Sequence, residues 1–65
     1  MATWSVTELR TGIKAASGSA PKEADAMREA MHYAMQYAQD GPVRFVVRQG
    51  RKTLLKGELP ETVRV

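Results

Sequence analysis

The chain has 65 residues, 43% of them hydrophobic and 26% charged, with a formal net charge of +3 and no cysteine. A single domain of this size buries only about 60% of the surface that its unfolded chain exposes, and the lack of cysteine excludes disulfides and thiolate-held zinc or iron–sulfur centres as reinforcement. One histidine, His32, is too few for a structural metal site, which leaves good packing or self-association to supply stability.

No apolar run approaches the roughly 20 residues that span a bilayer, and Met1-Ala-Thr-Trp4 lacks the basic stretch and apolar core of a signal peptide. A cytoplasmic protein without a cofactor is therefore expected. Charge is unevenly spread: residues 1–40 carry four Lys or Arg against five Asp or Glu, whereas residues 41–65 carry six against two. That asymmetry points to an anionic partner for the C-terminal half.

Residues 1–20 admit two readings. As strands, Thr3–Leu9 turns through Arg10-Thr11-Gly12 into Ile13–Ala16, with Trp4 and Val6 on one face. As a helix, Ser5-Val-Thr-Glu8 matches a capping box, and Val6, Leu9, Ile13 and Ala16 share a side. The β-branched residues Thr3, Val6, Thr7, Thr11 and Ile13 favour strands, and Gly12 inside a helix costs about 1 kcal/mol relative to alanine. Ser17-Gly-Ser19 reads as a linker.

Residues 21–39 predict a helix. Pro21 suits a first turn, Ser19 or Ala20 occupies the cap position, and Glu23 and Asp25 sit near the positive end of the dipole. Gly41-Pro42 stops it. At 100° per residue Ala24, Met27, Met31, Ala34, Met35 and Ala38 form one stripe, expected to pack on a sheet. Asp25, Glu29, His32, Gln36 and Gln39 lie roughly opposite. A second strip, Ala26, Ala30, Tyr33 and Tyr37, runs beside the first and widens the apolar arc.

Residues 43–59 predict a β-hairpin turning through Gln49-Gly50-Arg51. Parity across a three-residue loop puts Val43, Phe45, Val47, Thr53, Leu55, Gly57 and Leu59 on one face. Arg44, Val46, Arg48, Lys52, Leu54, Lys56 and Glu58 share the other. Residues 60–65 form a short tail, suited to pairing at a sheet edge.

The expected architecture is α+β: an antiparallel sheet of about four strands in the order ββαββ, with one long helix on one face, as a single domain over 1–65. This layout resembles small uncharacterised bacterial and phage domains with a W-x-V strand, an E-A-x-x-x-A helix and a V-V-x-x-G-R hairpin. Here those are Trp4-Ser-Val6, Glu29-Ala30-Met-His-Tyr-Ala34 and Val46-Val47-Arg-Gln-Gly50-Arg51. The resemblance covers most of the chain, implies the same fold and implies no activity.

Two surfaces carry functional candidates. Arg44, Arg48, Lys52 and Lys56, with Arg51 at the hairpin tip, form a basic ribbon face suited to phosphates or an acidic protein. The bland reading is a solvated face whose charges keep an edge from aggregating. Ala26, Ala30, Tyr33 and Tyr37 suit a protein interface, since alanines allow close approach and tyrosines supply amphipathic area. Their bland reading is the flank of a buried helix.

Other features read as structural. His32 has no paired nucleophile to serve as a general base, Gly41 and Gly50 are isolated turns rather than a phosphate loop, and Glu23/Asp25 and Glu58/Glu61 are solvated carboxylates. Trp4 is expected under the helix against Met27 or Met31. The sequence thus predicts a non-enzymatic binding or accessory protein whose partner is itself or another protein. Nucleic-acid binding through the basic hairpin face is the alternative; no membrane is expected.

Overall fold

A computed structural model describes residues 1–59; the tail expected at residues 60–65 lies outside the described residues. Four strands and one helix follow in the expected order: β1 (Ala2–Glu8), β2 (Lys14–Ala20), α1 (Glu23–Tyr37), β3 (Val43–Gln49) and β4 (Lys52–Leu59). The strands form one antiparallel sheet ordered β2-β1-β3-β4. The α+β fold is the one the sequence predicts, with two hairpins joined through their first strands and α1 crossing between them.

The N-terminal segment is a hairpin and not a helix. Its second strand runs further than the sequence suggests, because Ser17-Gly18-Ser19, expected as a linker, lies within β2. The register pairs Trp4 with Gly18, Ser5 with Ser17 and Thr3 with Ser19. Small polar residues have weak strand propensity, but here the neighbouring ring supplies what they lack. A Cβ built on Gly18 would stand 2.8 Å from Trp4 Cζ2, so the indole lies directly on the glycine backbone. The hairpin turns at Gly12, whose φ of +74° favours glycine. Its N–H donates to the Glu8 carbonyl at 2.8 Å, and the Glu8 N–H donates to the Ile13 carbonyl at 2.9 Å.

The second hairpin reaches the expected pattern by a different turn. Gln49 pairs with Lys52, so the loop is the two-residue Gly50-Arg51, with Gly50 at φ +61°. Glycine in the first central position suits a tight hairpin turn. Taken alone, that turn would reverse the parity of β4. A bulge between the Val47 and Arg48 pairings inserts Leu54 as the extra residue and restores it. Val43, Phe45 and Val47 therefore share the helix side with Leu59, Gly57 and Leu55, as predicted. Thr53 moves to the outer side opposite Arg48, and Leu54 is half-buried against the core.

The helix is shorter than predicted and rotated about its axis. Lys22 takes the N-cap position with no side-chain cap bond, rather than Ser19 or Ala20, because β2 claims the chain through Ala20. At the other end the Ala38 N–H bonds to the Ala34 carbonyl, and Asp40 N–H to Tyr37, before Gly41-Pro42. Fully buried on the sheet are Ala26, Ala30 and Ala34. Met27, Met31, Tyr37 and Ala38 pack beside them. Ala24 and Met35, expected in the buried stripe, face solvent, Met35 being 61% exposed. The bulky core side chains come from the sheet: Trp4, Val6, Val43, Phe45 and Val47 are all buried. Large residues on the sheet call for small ones on the helix, and alanines four apart make the closest-fitting ridge.

Candidate nucleic-acid interface

Because α1 covers one side of the sheet, the residues that alternate outward from each strand form an open face. The registers align them in three rows running from β2 across to β4. The first is Ser19, Thr3, Arg48 and Thr53; the second Ser17, Ser5, Val46 and Lys56; the third Lys14, Thr7, Arg44 and Glu58. A bulge in β2, between the pairings of Val6 and Thr7, brings Lys14 onto this face.

The face divides along its width. Hydroxyls other than that of Thr53 occupy the β2–β1 half, and cations concentrate over β3 and β4, with Lys14 at the far corner. Thr3, Ser5, Ser17, Ser19, Val46 and Arg48 line a shallow depression of about 590 Å³ on it. No aromatic ring lies in any of the three rows. One carboxylate does, and it is occupied: Glu58 Oε2 accepts from Arg44 Nη2 at 2.9 Å and from Arg44 Nε at 3.2 Å. Lys14, Arg48 and Lys56 form no ion pair among the described residues.

The five residues expected to form the basic site are thus only partly brought together. Arg44, Arg48 and Lys56 share the open face. Arg51 sits in the turn at its end. Lys52 does not join them: it pairs with Gln49, whose alternation from Val47 puts it on the helix side. The two-residue turn is the cause. Lys14 was missed, because only the bulge in the first hairpin turns it outward; its position beside a Gly12 turn carried no such signal.

The strip expected as an interface along the helix is divided: its two alanines are buried, whereas Tyr33 is exposed and Tyr37 half-buried. Ala26 and Ala30 lie on the side of α1 seated on the sheet. Tyr33 stacks on Trp4, with ring centroids 5.1 Å apart and planes 14° from parallel. Trp4 therefore lies under the helix as expected, with Tyr33 stacked on it and Met27 and Met31 packed against the same core. His32 is exposed and meets the Tyr33 ring edge-on at 5.2 Å.

Among the described residues, no group of three or more His, Asp or Glu side chains could hold a metal ion, and no helix is long and apolar enough to cross a membrane. No protein-family model, curated protein or solved structure matches the chain.

Proposed function

We propose that this protein is a non-enzymatic binding module that grips the sugar–phosphate backbone of duplex nucleic acid with the open face of its sheet. One observation carries the reading. Among the described residues one side of a four-stranded sheet is left uncovered, and its three rows combine six Ser or Thr hydroxyls with Lys14, Arg44, Arg48 and Lys56 against the single, already paired Glu58. Hydroxyls and cations are the usual donors to phosphate oxygens. The lack of stacking rings on the face favours a duplex, read by its backbone, over splayed single strands. Burial of Ala26 and Ala30 leaves Tyr33 as the exposed residue of the helical strip, a much smaller surface than the open face of the sheet.

The measurement is the affinity of the protein for a labelled duplex and for a single strand at several salt concentrations. Duplex binding should weaken with salt, with a log–log slope of about −3 for three neutralised phosphates. Replacing Arg48 and Lys56 by glutamine should reduce that slope by about two units with little effect on unfolding. Absence of salt-dependent binding in the micromolar range at low salt would refute the proposal.

A further inference from the structure

The two outermost described strands differ in what they offer to another chain. β4 carries Lys52, Lys56 and Glu58 and is twisted by the Leu54 bulge, features that discourage strand addition. β2 has none of these over residues 16–20: its sequence there is Ala-Ser-Gly-Ser-Ala, without charge, proline or bulge. Among the described strands, no neighbour pairs with its outer side. Each second residue of β2 therefore presents an N–H and a C=O outward.

That stretch also reads the same in both directions about Gly18. An antiparallel copy centred on Gly18 would set Gly18 against Gly18, Ser17 against Ser19 and Ala16 against Ala20. Side-chain faces match at every position, and no like charges lie opposite within the paired segment. A separate observation marks the same point. Trp4 Nε1 is buried, has no hydrogen-bond partner among the described residues, and lies 3.0 Å from where a Cβ of Gly18 would be. Trp4 itself is only 5% exposed. A buried indole N–H ordinarily finds an acceptor, and this unpartnered donor lies over Gly18, the midpoint of the palindrome, on the helix side of the sheet.

We infer that β2 pairs with β2 of a second copy of this chain about a dyad at Gly18, making a continuous eight-stranded sheet. A two-fold contact of this kind closes on itself as a dimer, whereas β2 against β4 is a head-to-tail contact that builds a larger ring or an open filament. It would join the hydroxyl rows of two open faces in the centre and set the two β3 strands about 24 Å apart, at about 4.8 Å per strand. The pairing goes beyond the proposed nucleic-acid reading and does not need it, since self-association is measured with the protein alone.

Sedimentation velocity and amide hydrogen exchange on the 65-residue chain, without nucleic acid, test it. The wild type should sediment as a dimer with slow exchange at Ser17, Gly18 and Ser19. Ser17→Lys/Ser19→Lys, at two exposed positions, opposes lysines across the dyad and should give a monomer with fast β2 exchange. Ser17→Lys/Ser19→Glu sets opposite charges across the dyad and should restore the dimer, which also shows that substitution there does not unfold the chain. A monomeric wild type at about 100 µM, a dimeric Ser17→Lys/Ser19→Lys, or failure of the mixed pair to restore association would overturn the inference.

Discussion

The two hairpins of this protein use one device with different materials. In each, the inner strand places an aromatic ring over a glycine of the outer strand: Trp4 over Gly18 in the first, Phe45 over Gly57 in the second, where a Cβ would stand 2.7 Å from Phe45 Cζ. Each also carries one register shift, beside Val6 and beside Val47. Around that shared plan the first hairpin is small and polar, whereas the second is aliphatic inside and ionic outside. The contrast shows that a strand of poor intrinsic propensity holds its place when a neighbouring ring packs on its bare backbone. It also shows how the open face is divided: five of its six hydroxyls lie on the first hairpin and three of its four cations on the second.

The largest test of this equivalence removes the rings. Trp4→Ala and Phe45→Ala should each cost about 3–5 kcal/mol in urea unfolding. The tryptophan should cost more, because it also loses the Tyr33 stack. Equal costs would mean that the helix does not distinguish the hairpins. A smaller loss, about 1–3 kcal/mol, is expected for Gly18→Ala, since the new methyl must displace a buried indole. Gly57→Ala should cost less, as α1 touches β4 least and the phenyl ring that must give way is smaller than the indole. The reverse ranking in thermal melts would break the argument.

Tyr33→Leu keeps the apolar cover over Trp4 but removes the stacked ring, with an expected loss of about 1 kcal/mol and a changed Trp4 emission spectrum. The smallest effect belongs to the second hairpin's ion pair. Arg44 and Glu58 are 50% and 53% exposed, so Glu58→Gln should cost under about 1 kcal/mol. Because it frees Arg44, the same change should strengthen duplex binding and steepen its salt dependence. Weaker binding would contradict the placement of Arg44 on the binding face.

Much of this arrangement was legible in the sequence, and the misses have physical causes. Alternation alone assigned Val43, Phe45, Val47, Leu55, Gly57 and Leu59 to the core side, and Gly41-Pro42 marked the helix stop. The loop was misread because a two-residue turn followed by a bulge gives most of β4 the same parity as a three-residue loop. Lys52 and Thr53, nearest the turn, are the residues exchanged. The helix face was misread because α1 offers two neighbouring apolar arcs. Hydrophobicity favours the methionines, but Trp4 and Phe45 already fill the space, so fit favours the alanines. Ser17-Gly18-Ser19 reads as a linker because strand propensity is a property of single residues, and what orders this segment is a ring from another strand.

The one-sided helix has a consequence for how such a chain can change. Along the two central strands, the residues buried under the helix alternate with residues on the open face, so the two sets are nearly independent variables. Thr3, Ser5, Thr7, Val46 and Arg48 could be randomised together while the scaffold melts almost unchanged. A lineage carrying this domain would be free to acquire new specificities by drift on that side, without first having to rebuild its interior.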